Sequence, residues 1–168
     1  MAATIQIHEM SALATGTNKT SGTVRFKDAD NATVDSNNPL VVPAADSIWS
    51  YTKKLRAYME DAPSVQVSNM RWYTDGSGFG TASIGIQVKN LGITWGANYK
   101  TEMSGGANLF DKVVGAPLDG DGTDTGPFVP ADVDTYIGDL IELQMSVSHN
   151  AAQGALSAET LTLAYDEI

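Results

Sequence analysis

The chain contains no cysteine, and only two of its 168 residues are histidine. Without thiols there is no disulfide framework, no thiolate metal site and no cysteine nucleophile. Basic residues are scarce as well: 10 Lys and Arg stand against 20 Asp and Glu, for a net charge of -10. A general nucleic-acid binder needs a cationic footprint to displace counterions, and an anionic membrane surface attracts polybasic segments, so neither partner is expected. Long apolar runs are also missing, and no stretch approaches the ~20 residues of a membrane-spanning helix. Met1 to Met10 alternates apolar and polar residues instead of placing an apolar block behind a basic start, so no secretory signal is expected. On that reading the triplets Asn18-Lys19-Thr20 and Asn31-Ala32-Thr33 match the glycosylation pattern by chance. What remains is a chain with 42% apolar residues, long enough to form one globular domain over residues 1–168.

The dominant positive signal is alternation with period two. Ile5 and Ile7, Val24 and Phe26, Ile84, Ile86 and Val88, and Ile93, Trp95, Ala97 and Tyr99 each alternate with small or polar neighbours. Later, Ile141, Leu143, Met145 and Val147 alternate with Glu142, Gln144, Ser146 and Ser148, and Leu161, Leu163 and Tyr165 with Thr160, Thr162 and Ala164. Successive side chains of a strand point to opposite faces, so these segments predict antiparallel strands with one buried face. Ser47–Glu60 reads either as a helical stripe or as a strand. The strand reading is favoured by its surroundings, with Lys53 on the apolar side snorkelling at a rim.

Gly, Asn, Asp, Ser and Pro cluster at 15–22, 28–43, 75–80, 104–108 and 115–130, where they punctuate the strands. About eight strands with such connectors predict an all-β fold: a single two-sheet antiparallel sandwich, jelly-roll or immunoglobulin-like. Loops 28–43 and 115–130 are long, and long loops in compact domains are commonly functional. Together with the N-terminal segment 1–10, they are the expected contact arms.

Candidate chemistry is thin. His8 and His149 lie in predicted strands at opposite ends of the chain, with no further ligand implied. The run Asp119-Gly120-Asp121-Gly122-Thr123-Asp124 suggests a calcium loop, but Pro130 stands where a helix-loop-helix site carries its bidentate Glu. Asp75-Gly76-Ser77-Gly78-Phe79-Gly80 has the look of a phosphate loop, yet strand-like residues follow it where a helix is required, so it reads as a hairpin turn. No Gly-x-Ser-x-Gly elbow occurs. Trp49, Trp72 and Trp95 could form a sugar-stacking platform, although large aromatics in strands are usually core residues. No catalytic residue, cofactor or metal is therefore expected.

Four segments carry a resemblance: Ile5-Gln6-Ile7-His8-Glu9, Gly22 to Asp30, Trp72 to Gly80, and Glu159 to Ile168. In these the chain resembles small β-sandwich virion proteins of tailed bacteriophages. The resemblance implies a structural protein of the particle, foremost a capsid decoration (cement) protein on the capsid surface, assembled in the host cytoplasm. Its implied partners are the major capsid protein and copies of itself, with trimers following from capsid symmetry. A neck or tail protein, or a carbohydrate-binding sandwich module, are the alternatives. Exposed strand edges and extended segments would make the contacts. The protein-contact candidates are Ile5 and Ile7 in the N-terminal segment, and Asn37, Pro39, Leu40, Val41 and Pro43 in the first long loop.

Overall fold

The computed structural model describes residues 2–168. Ten strands follow in chain order: β1 (Thr4–Ala12), β2 (Thr15–Asn18), β3 (Ser47–Trp49), β4 (Lys53–Asp61), β5 (Val67–Tyr73), β6 (Ile84–Gly92), β7 (Ala107–Asn108), β8 (Leu118–Asp119), β9 (Thr135–Ser148) and β10 (Thr162–Glu167). Two antiparallel sheets result. The larger runs β2-β1-β4-β9-β6-β7, with β3 also on β9, and the smaller runs β10-β5-β8. The all-β sandwich expected from the alternation is the observed architecture.

β9 is the spine. Its 14 residues pair with β6 along one side and with β4 and then β3 along the other. Ser47–Asp61 is thus extended and not helical, and residues 50–52 interrupt it without losing the ladder. There Ser50 N–H donates to Met145 O at 2.9 Å, and Met145 N–H donates to Ser50 Oγ at 3.1 Å.

The inner faces of the two sheets enclose the core. Leu55, Ile86, Val88, Ile141, Leu143 and Val147 of the larger sheet meet Trp72 of the smaller one. A second cluster joins Ala57, Met59 and Ile137 to Val67, Met70 and Phe128. Each large aliphatic side chain so buried contributes about 1.5–3 kcal/mol.

β9 is bent by a bulge at Gly138-Asp139, where its register against β4 shifts. Gly138 has φ +66, and a Cβ there would lie 2.6 Å from Gly120 O. Only glycine meets both demands. The bulge lets loop 119–124 approach until Asp139 N–H donates to Gly120 O at 2.7 Å.

Several expected elements differ. Val24 and Phe26 pack against the core, but their segment pairs with no strand. Ile93 to Tyr99 also alternates without joining a ladder; it crosses the outer face of the larger sheet, held by side chains and by a backbone hydrogen bond from Thr52 N–H to Tyr99 O at 2.9 Å. The glycine-rich segment 75–80 is a crossover and not a hairpin, because β5 and β6 belong to different sheets. Gly76 and Gly78 adopt φ +83 and +62, and Cβ atoms there would press on Val113 and Phe110. The connectors at 15–22, 104–108 and 115–130 contain β2, β7 and β8, three short edge strands.

Candidate functional site

The expected contact residues fall into two groups. Ile5 and Ile7 lie on β1, which is paired along β4 from Thr4 to Glu9 and with β2 from His8 onward. Ile5 packs against the second core cluster and Ile7 against the first. From Thr4 on, the N-terminal segment is therefore built into the sheet and is not a free arm, with Thr4–Ile7 extending past the end of β2; Met1 lies outside the described residues. In loop 28–43 the alternation continues without a ladder: Leu40 and Val42 turn into the core, while Asn37, Pro39 and Val41 face solvent. Val41 is 66% exposed, and Pro43 is half-buried.

That loop is braced from beneath. Lys27 is buried and donates from Nζ to Asn31 Oδ1 at 3.0 Å, Thr33 O at 3.1 Å and Asp35 Oδ1 at 2.7 Å. The hydrogen bond from Lys27 holds the Asp35 carboxyl below its ordinary range. Asp28 N–H donates to Asn38 O at 2.9 Å, Asp28 pairs with Lys100, and Asn98 Nδ2 donates to Asp30 Oδ1 at 2.7 Å. Below them Lys53, far from snorkelling at a rim, is buried, with Nζ 3.1 Å from Glu9 Oε1 and donating to Asn31 O. The other oxygen of Glu9 is 3.6 Å from Lys19 Nζ.

Loop 115–130 has more to pack than its composition suggests. Leu118 packs on the first core cluster, and Phe128 is buried in the second. Its carboxylates are occupied within the fold. The buried Asp139 carboxylate of β9 accepts from Asp124 N–H at 2.7 Å, Thr123 N–H at 3.0 Å and Asn90 Nδ2 at 2.8 Å. Asp124 pairs with Arg56 at 2.8 Å, and Asp121 accepts from Met70 N–H at 3.1 Å. Burial, and secondarily the nearby Asp119, push the Asp121 carboxyl up against the pull of that amide. Among the described residues, no three His, Cys, Asp or Glu side chains are gathered so as to hold a metal ion.

The outer face of the larger sheet holds the feature the sequence did not disclose. Lys54 and Glu142 are only 1% and 3% exposed and lie 2.9 Å apart. Lys54 Nζ also donates to Asn98 Oδ1 at 2.8 Å and stands 5.3 Å from the Trp95 ring centre. Tyr99 Oη donates to Glu142 Oε2 at 2.9 Å. Burial, then this carboxylate, push the Tyr99 hydroxyl up to about 12. Gln144 is fully enclosed: Nε2 donates to Ser50 O and Thr101 O, each at 2.9 Å, and Oε1 accepts from Met103 N–H at 2.8 Å. Apart from Ser50, in the break between β3 and β4, these partners lie on segment 95–103 or on the strands beneath it. The network binds that segment to the sheet.

The histidines remain apart. His8 is stacked on Tyr58 (4.8 Å between ring centres) with Nδ1 3.0 Å from Tyr136 Oη, and desolvation lowers its pKa against an opposing effect of Glu60. His149 is exposed in the turn after β9, beside Asp46 O. Of the tryptophans, Trp72 is 1% exposed in the core, and Trp49 and Trp95 are half-buried, so the three share no open platform. Exposed apolar side chains are instead scattered on connectors and at the end of the chain: Val41, Val114 (73% exposed) and Ile168. Comparison with protein-family models, with curated proteins and with solved structures finds no match to this chain.

Proposed function

We propose that this chain is a structural virion protein of a tailed bacteriophage, a capsid decoration (cement) protein that binds the head through protein–protein contacts. The observation that carries the reading is the bracing of loop 28–43, which presents Val41 to solvent while Lys27 and Lys53 fasten the loop from below. A contact loop already ordered before binding spends less of its interaction energy on ordering. The resemblance in the four segments named above supports the same assignment. Three of them lie on structured parts of the sandwich: β1, β5 with the following crossover, and β10. The chain's net charge of -10 suits a subunit that must stay dispersed until it meets its capsid. Its partners would be the major capsid protein and, in a trimer, copies of itself.

The test is cryo-electron microscopy of particles made with and without this chain. Density repeated across the capsid lattice that vanishes with the gene supports the proposal. Density confined to the portal or tail moves the protein to the neck or tail, and absence from the particle ends the virion reading.

A further inference from the structure

Among the described residues five strands pair on one side only, and they differ; β3, on β9 alone, is three residues long. β2, β7 and β8 are four, two and two residues long, and short edges invite no pairing. β10 is six residues long, and among the described residues no strand lies on its other side. Ile168 and Gln66 exchange both backbone hydrogen bonds, at 3.0 and 3.1 Å, and Ala164 and Thr162 pair with Arg71 and Tyr73. By the alternation of an antiparallel ladder, the even-numbered residues of β10 face β5. The N–H and C=O groups of Leu163, Tyr165 and Glu167 then point outward.

The usual guards of an exposed edge are missing. Thr160 to Tyr165 contains no Pro and no charge, and the bulge in this pair belongs to β5, at Asn69 (φ 59). Beside Leu161, just before the strand, lies a cavity of about 1090 Å³ whose lining includes Val24, Phe26, Leu40 and Met145.

Charge selects the occupant. Residues 1–112 hold 10 acidic and 10 basic side chains, whereas 113–168 hold 10 acidic and no Lys or Arg. The uncharged stretch of β10 is bracketed by Glu159 on one side and Glu167 on the other, while Asp166 is already paired with Arg71 at 2.6 Å and accepts from Asn69 Nδ2 at 2.6 Å. A second copy pairing antiparallel through its own β10 would set acids against acids. We infer that the β10 edge is a docking site for an extended segment of a different chain, uncharged and alternating in its middle and basic at its ends, which adds a strand to the smaller sheet. The inference stands on the edge and its charges, independently of the virion assignment.

The probe is a labelled peptide, Lys-Lys-Thr-Val-Thr-Val-Thr-Val-Lys-Lys, against a matched peptide with Glu in place of Lys. Anisotropy should show a preference of at least about tenfold for the basic peptide at low salt, shrinking as salt is added. Amide exchange should slow at Leu163 and Tyr165 and stay unchanged at Thr162 and Ala164, which are already paired. Glu159→Lys should weaken the basic peptide at least about threefold. Leu163→Pro, which removes an outward N–H, should abolish binding, while Leu163→Ala, which loses similar packing, should retain it. The exchange pattern of the unaltered protein decides the matter if the proline variant does not fold. Equal binding of both peptides, no binding at millimolar concentration, or protection away from Leu163 and Tyr165 overturns the proposal. Protection of these amides by raised protein concentration alone would assign the edge to a second copy and overturn it likewise.

Discussion

The two faces of the larger sheet are both covered, by opposite means. On the inner face Leu55, Ile141, Leu143 and Val147 are closed off by Trp72 and its neighbours from the smaller sheet. On the outer face Lys54, Glu142 and Gln144 are closed off by segment 95–103 and satisfied almost atom for atom. The apolar face needs only shape and volume, and it tolerates rearrangement. The polar face needs each donor to meet its acceptor, because an unpaired group there keeps its full desolvation penalty. The lesson is that segment 95–103, which carries no secondary structure, is placed as definitely as a strand.

Breaking the polar face at its charge should have the largest effect. Glu142→Ala strands the buried Lys54 ammonium and should cost about 3–5 kcal/mol in urea unfolding, whereas Lys54→Met combined with Glu142→Leu should recover most of that loss. A single-variant loss below about 1 kcal/mol would remove the distinction between the faces. On the inner face, Leu143→Ala should cost about 3 kcal/mol through the cavity it leaves, with amide exchange in 95–103 unchanged. Gln144→Ala should cost about 2 kcal/mol and, unlike Leu143→Ala, speed exchange of the Met103 amide.

The smallest effect is a pH dependence. The Tyr99 hydroxyl ionises near pH 10 in the unfolded chain but at about 12 in the fold. Its raised pKa favours the folded state below pH 10, and that contribution is lost as pH climbs from 10 through 12. Tyr99→Phe should flatten this part of the alkaline stability curve. An unchanged curve would mean that neither burial nor Glu142 raises the ionisation of this hydroxyl.

This contrast also sets how much was legible in the residues. Alternation located β1, β6, β9 and β10 because apolar side chains on one face leave a period-two trace, whereas Ser47–Glu60 is equivocal by period and reads as strand from its surroundings. Glu142 and Gln144 leave the same trace as solvent-facing residues, so their burial was invisible. Only the length of β9 and the aromatic residues of 95–99 hinted at a covered second face. Val24, Phe26, Trp95 and Tyr99 alternate like strand residues yet form no ladder, since periodicity reports which side is buried and not what the backbone pairs with. Of the residues named as contact candidates, Val41 is exposed, while Ile5 and Ile7 are built into the sheet.

The placement of β9 reaches beyond the folded state into synthesis. Ile48 pairs with Val147, and β6 pairs with β9 rather than with β4, so strands made early must wait for one made late. Until Thr135–Ser148 has left the ribosome, β4 and β6 have no common neighbour, and the nascent chain carries their apolar faces uncovered. Non-local pairing of this kind folds slowly and prolongs that exposure. The last strand of the larger sheet to be translated is therefore the first its centre requires, and a chain interrupted before Thr135 is a ready substrate for chaperones and proteases.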